Sequence, residues 1–185
     1  MRPVERSELL DYQTYDERRP EIRERVLRAK KPRRIHLGEH LTFLFENRDT
    51  VRYQVQEMMR AERLVKEAEI LHELATYNEL LGGPGELGCS LLIEIDDPKL
   101  RDEKLRAWRT LPEHLYVVLE GGKKSRAKFD PRQVGEDRLS SVQYLKFDTG
   151  KKAPIAIGVD HPALAAEVEL TSEQRAALAA DLAEG

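Results

Sequence analysis

A single cysteine, few aromatic residues and no long apolar run set the first bounds on this chain of 185 residues. With Cys89 alone, an intrachain disulfide is excluded, as is a zinc cluster or redox pair built from spaced cysteines. Its neighbours Leu91 and Leu92 make it read as a structural thiol. No apolar stretch approaches the roughly 20 residues that a membrane-spanning helix needs. Met1 to Glu8 is charged where a secretory leader would be apolar. These absences, and a lone cysteine suited to a reducing compartment, lead to the expectation of a soluble cytoplasmic protein without membrane contact. Neither sign of charge prevails, with 31 Lys and Arg against 34 Asp and Glu. The net charge of −3 offers no whole-molecule attraction to nucleic acid. The common catalytic signatures are missing too: no phosphate-cradling glycine loop, no dinucleotide fingerprint, no nucleophile elbow and no His-Glu-x-x-His.

What is present is helical periodicity early and late, with strands between. Ser7 is placed to cap a short helix through Tyr12. Pro20 suits the first position of a second helix, which ends in the basic run Lys30-Lys31-Pro32-Arg33-Arg34. Ile35 and Leu37, a turn at Gly38-Glu39, then Leu41, Phe43 and Phe45 predict a hairpin. The opposite face of its second strand carries His40, Thr42, Leu44 and Glu46, which predicts a sheet with one covered face. Asn47 or Asp49 can cap a long helix from Val51 to about Ala75. Its apolar stripe runs through Val51, Val55, Met58, Ala61, Val65 and Ala68.

Gly82-Gly83-Pro84-Gly85 breaks that helix and is the one candidate boundary. Strands follow at Ser90–Ile95, Leu115–Leu119, Ser125–Phe129, Ser141–Phe147, Ile155–Val159 and Val168–Leu170. A helix at Pro98–Trp108 interrupts them, and a glycine turn at Gly121-Gly122 joins two of them. Thr171 with Gln174 forms a capping box for a final helix. The pattern predicts one α+β domain over 1–185, a mainly antiparallel sheet packed with a long central helix and with N- and C-terminal helices. Its parts are N-terminal helices at 1–33, a strand pair and long helix at 34–78, a β-rich half at 89–170 and a C-terminal helix at 171–185.

The sharpest chemical signal is a polar stripe on the long helix. Tyr53, Gln56, Glu57, Arg60 and Arg63 share one side by their spacing, and Glu46 and Arg48 arrive at its start. Turned inward, that face offers a carboxylate, an amide, a phenol and guanidinium groups to a carboxylate- or phosphate-bearing ligand. Turned outward, it is a helix surface laced with ion pairs. Glu57 is the candidate acid/base group, with Arg60 beside it to set its pKa. The histidines offer no paired metal motif. His40 and Glu46 share a strand face but lie about 20 Å apart at 3.3 Å per residue. A transition-metal site would have to combine His40 or His161 with a carboxylate such as Glu57 across the tertiary structure.

Three segments together resemble a bacterial family known as domain of unknown function 3501. They are Leu37 to Arg48 with Tyr53-Gln54-Val55-Gln56-Glu57 to Arg63, Tyr15 to Arg23 with Tyr77-Asn78, and Ser140 to Phe147 with Gly158-Val159-Asp160-His161-Pro162. The resemblance covers most of the chain in order, and the expected ligand-site set is Glu46, Arg48, Tyr53, Gln56, Glu57, Arg60, Arg63 and His161. It implies no defined activity. It does imply, through gene neighbours of such proteins, an association with redox or oxidative-stress metabolism and a rubrerythrin-like or iron–sulfur partner. Any such centre would belong to that partner, since this chain lacks cluster ligands. The expectation is therefore an accessory or small-anion-binding protein. A metal-dependent enzyme using Glu57 with His161 or His40 is the alternative, and RNA contact through Arg28–Arg34 is a third reading.

Overall fold

The protein is represented by a computed structural model describing residues 1–184. Five α-helices and eight strands form an α+β structure: α1 Tyr12–Lys30, α2 Arg48–Glu62, α3 Glu67–Asn78, α4 Pro98–Ala107 and α5 Ser172–Ala183. The strands are β1 Arg34–Leu37, β2 Leu41–Phe45, β3 Glu86–Ile93, β4 Leu115–Val118, β5 Lys124–Arg126, β6 Val142–Asp148, β7 Ala156–His161 and β8 Leu164–Glu169. They divide into two antiparallel sheets rather than one, ordered β1-β2-β3-β6 and β5-β4-β7-β8. Phe43, Leu91 and Phe147 from the first sheet share one core with Val117 and Ile157 from the second. Trp108 after α4 and Leu178 of α5 belong to the same core. No helix among the described residues is long and apolar enough to cross a membrane.

The first sheet is covered on both faces at its central strands β2 and β3, while β1 and β6 keep one face exposed or part-exposed. Phe43 and Phe45 point into the shared core, while Thr42, Leu44 and Glu46 of the alternate set are also buried. A second cluster of Val51, Val55, Met59, Ile70 and Leu74 binds α2 to α3.

The expected long helix is two helices. Arg63 adopts φ 51°, the left-handed conformation that ends helices, and its neighbour Leu64 donates back to the Met59 carbonyl at 2.9 Å. The chain then turns so that Ile70 and Leu74 meet Val51 and Val55. Val65, assigned to the apolar stripe by spacing, is 71% exposed at this break.

The N-terminal helices also differ from expectation. Residues Arg6–Glu8 form only a 3-10 turn. Asp11 caps α1 by accepting from the Gln13 and Thr14 amides, and Pro20 lies inside the helix. A mid-helix proline forgoes one backbone bond and usually bends the helix. Here the local proline signal was outweighed by burial of Tyr15, Ile22 and Val26 along one face.

Other expectations agree closely. Asn47 caps α2 and Thr171 with Gln174 caps α5. Leu119 and Lys123 close the β4–β5 turn, where Gly121 and Gly122 take φ 85° and 81°. The strand expected to reach Phe129 stops at Arg126. Lys128 instead exchanges both backbone bonds with Lys146 of β6, so this segment crosses from the second sheet to the first.

Candidate functional site

Most of the polar stripe of α2 is turned toward neighbouring parts of the chain rather than toward solvent. It docks α1 and the N-terminal segment. Glu57 accepts from Arg19 Nε at 2.8 Å, from Arg19 Nη2 at 2.9 Å and from the Tyr15 hydroxyl. Arg60 pairs with Asp16. Gln56, buried, holds the backbone of Leu10 twice: its Oε1 accepts from Leu10 N at 2.7 Å, and its Nε2 donates to Leu10 O at 3.0 Å. Arg48 donates to Glu8 at 2.6 Å. These four side chains are therefore spent on assembling the helical layer.

The remaining predicted residues lie apart. Glu46 is buried at the end of β2, where it accepts from Ser90 Oγ at 2.6 Å and from the Thr50 hydroxyl. Arg63 is the exposed residue that ends α2. His161 belongs to β7 in the second sheet, with Nε2 3.2 Å from Thr110 Oγ1 and Nδ1 accepting from Ala163 N at 3.1 Å. Its ring meets His114 edge-on at 5.1 Å, and burial followed by His114 lowers its pKa. His40 sits in the β1–β2 turn with its ring 6.1 Å from Trp108. Thus His161 does not join the α2 residues, because the chain places β7 in the other sheet.

Among the described residues, no three His, Cys, Asp or Glu side chains cluster in a way that would hold a metal ion. His40, Glu57 and His161 share no ligand geometry on which the transition-metal reading can rest.

The basic run Arg28–Arg34 is also broken up. Arg33 is buried and doubly bonded to Asp181, and Arg28 pairs with Glu24. Lys30 lies 5.2 Å from the centre of the Tyr53 ring, and burial lowers its pKa. Packing thus draws Arg33 and Lys30 out of the run, while Arg28, Lys31 and Arg34 stay exposed.

What the α1–α2 junction does form is a cleft of about 240 Å³. Tyr15, Ile22 and Val26 make its floor, and Tyr53 and Gln56 stand on the α2 side. Arg18, Arg25 and Arg52 supply cations to its rim, opposed by Glu8 and Asp49. Arg52 is committed to Asp49, with Glu8 3.9 Å away. Arg18 and Arg25 are exposed and make no ion pair among the described residues. The stripe reading missed these residues of α1 because the helix start was placed at Pro20. The available signal was Asp11 as a cap, followed by Tyr15, Ile22 and Val26 at i, i+7 and i+11 with Arg18 and Arg25 alongside.

The Glu57 cluster gives a pH prediction. Arg19 holds the Glu57 carboxyl below its ordinary value near 4.5, with Tyr15 adding to the effect against burial. A carboxylate with a depressed folded pKa stabilises the protein above its unfolded pKa, and that contribution is lost as pH falls through the folded value. Glu57→Gln is expected to cost about 1.5–3 kcal/mol at pH 7, the worth of hydrogen bonds to a charged group. It should also flatten the loss of stability below about pH 4.5, the unfolded glutamate range. Urea melts of both proteins from pH 7 to pH 3 check this, and parallel pH profiles would contradict it.

The two sheets and their helical layer make an α+β protein with an arginine-rimmed cleft between α1 and α2. The chain belongs to the family described as "Protein of unknown function (DUF3501)", which matches residues 3–182. It is also similar to a crystal structure of a protein of unknown function from Burkholderia pseudomallei K96243. The two chains are 27% identical with a TM-score of 0.90, over 98% of this chain and 100% of that one. No curated protein matches.

Proposed function

We propose that this is a binding protein whose α1–α2 cleft takes a small carboxylate- or phosphate-bearing molecule. The observation that carries this reading is the pair Arg18 and Arg25, two turns apart on α1 over the apolar floor at Ile22, with no ion pair of their own among the described residues. Guanidinium groups bind such anions with two parallel hydrogen bonds. Tyr53 remains from the sequence-derived set as a direct ligand contact. Gln56, Glu57, Arg48 and Arg60 hold the cleft in shape, and Arg52 balances Asp49. A Glu57 base is disfavoured, since its carboxylate already accepts three hydrogen bonds and its pKa is depressed. On this reading the accessory role is delivery or sensing of the anion. A rubrerythrin-like or iron–sulfur partner, implied by the resemblance alone, would be met elsewhere on the surface.

Calorimetric titration with inorganic phosphate and with citrate at low salt tests this. The Arg18→Ala/Arg25→Ala double variant is expected to weaken binding of the preferred anion at least tenfold, about 1.4 kcal/mol. Its melting temperature should stay near that of the parent, because both side chains are exposed. Unchanged affinity in the double variant would remove the cleft as the site.

A further inference from the structure

A larger cavity, of about 570 Å³, opens between α3 and the outer side of β6, away from the α1–α2 cleft. Its size falls in the range of about 300–1,000 Å³ typical of small-molecule sites. Aromatic rings line it from three directions: Tyr77 on α3, Tyr144 on β6, and Phe129 on the segment crossing between the sheets. Leu80 supplies an aliphatic side. Tyr144 is 45% exposed, an unusual outlay of aromatic surface on a strand facing a recess. Aromatic surfaces on different walls favour a flat ring, which can stack or meet them edge-on.

Charge narrows the occupant further. Lys146 lies two positions from Tyr144 on the same face of β6 and makes no ion pair among the described residues. Lys128, its backbone partner across the bridge, is tied to Glu86 at 2.6 Å. Lys146 is therefore the cation left for a ligand. Glu73 and Glu79 stand on the α3 side, and Asp130 is engaged by Arg132. Those carboxylates disfavour a second negative charge on the ligand by like-charge repulsion.

We propose that this cavity binds a planar aromatic molecule carrying one negative charge. Its ring lies among Tyr77, Phe129 and Tyr144, and its anionic group meets Lys146. The site is independent of the α1–α2 cleft, which is smaller and lies on other elements.

Three naphthalene probes test it by calorimetry on the full chain: 2-naphthoate, neutral 2-naphthamide and doubly charged 2,6-naphthalenedicarboxylate. The expected result is saturable binding of 2-naphthoate that reaches 1:1 in the Arg18→Ala/Arg25→Ala background, weaker binding of the dianion there, and at least a tenfold loss on adding Tyr144→Ala. Lys146→Gln should weaken 2-naphthoate at least fivefold and 2-naphthamide less than twofold. The Arg18→Ala/Arg25→Ala protein should keep this 2-naphthoate site, which separates it from the cleft. Tyr144 is part-exposed and Lys146 half-buried on an edge strand, and thermal melts confirm that both variants fold. The proposal is overturned by an absence of saturable 2-naphthoate binding, or by undiminished binding in Tyr144→Ala. Equal losses for naphthoate and naphthamide in Lys146→Gln would overturn the charge assignment. Loss of 2-naphthoate binding in the Arg18→Ala/Arg25→Ala protein would overturn the location.

Discussion

Asp181→Ala is expected to destabilise the protein by about 3–5 kcal/mol, the usual cost of removing one partner of a buried ion pair. Asp181 accepts from Arg33 Nε and Nη2, both at 2.7 Å, and from Asn47 Nδ2 at 3.3 Å. The carboxylate is 4% exposed and the guanidinium 11%. Loss of the carboxylate leaves the Arg33 charge in a dry site with only the Ala29 carbonyl, 2.7 Å away, as an acceptor. The same substitution frees α5 from the end of α1 and from the residue that caps α2. At about 2–4 °C per kcal/mol for a chain of this size, the melting temperature should fall by about 6–20 °C. The damage comes from the orphaned charge more than from the lost attraction. The double variant Arg33→Met/Asp181→Leu is therefore expected to recover much of the loss. Thermal melts of the three proteins decide this. A double variant no better than Asp181→Ala would show that the pair itself holds α5.

Gly88→Ala carries the second large expected effect, at or above the upper end of the about 1–3 kcal/mol typical of overpacking. Gly88 lies in β3, where a Cβ would collide with the carbonyl oxygen of Leu80 and come within 3.0 Å of Gly82 N. The obstacle is backbone, so no rotamer change relieves it. Gly82 meets the carbonyl of Glu86 in the same interlock, and the amino group of Met1 donates to Gly82 O at 2.7 Å. The loop after α3 must lift from β3 to admit one methyl group. Gly38→Ala is the contrast. Its Cβ enters open space, but its φ of 63° imposes the left-handed penalty of about 1–2 kcal/mol. Denaturant melts should therefore rank Gly88→Ala well below Gly38→Ala in stability. The reverse order would mean that the Leu80 loop yields easily. Because Leu80 also lines the larger cavity, Gly88→Ala should weaken 2-naphthoate binding as well.

Much of the local structure was legible in the residues themselves. Thr171 with Gln174, Asn47 before α2, and the two glycines between β4 and β5 are short-range devices, complete within a few residues. The alternation of Leu41, Phe43 and Phe45 likewise marked the core face of β2. The errors came where one local signal competed with a packing demand. Pro20 read as a helix start, yet burial of Tyr15 and Ile22 extends α1 on both sides of it. The stripe through Val65 read as continuous, yet a left-handed Arg63 folds α3 back onto α2. For the candidate site, the residues of the polar stripe that the fold places at the α1–α2 cleft are Tyr53 and Gln56. Arg18 and Arg25 beside them lay outside that stripe, because they come from α1, and periodicity within α2 carries no information about its neighbour.

The sequence by itself determined the α+β class, most element types and the existence of a polar face on α2. Those follow from period, caps and turns, which act over one or two turns of chain. The tertiary structure alone decided what that face meets. It gave Glu57 to Arg19 and Tyr15, gave Arg33 to Asp181 across 148 residues, and placed His161 in a separate sheet. The physical reason is that a guanidinium binds whichever carboxylate the fold delivers within about 3 Å, and delivery over such separations depends on how sheets and helices pack, not on spacing along the chain.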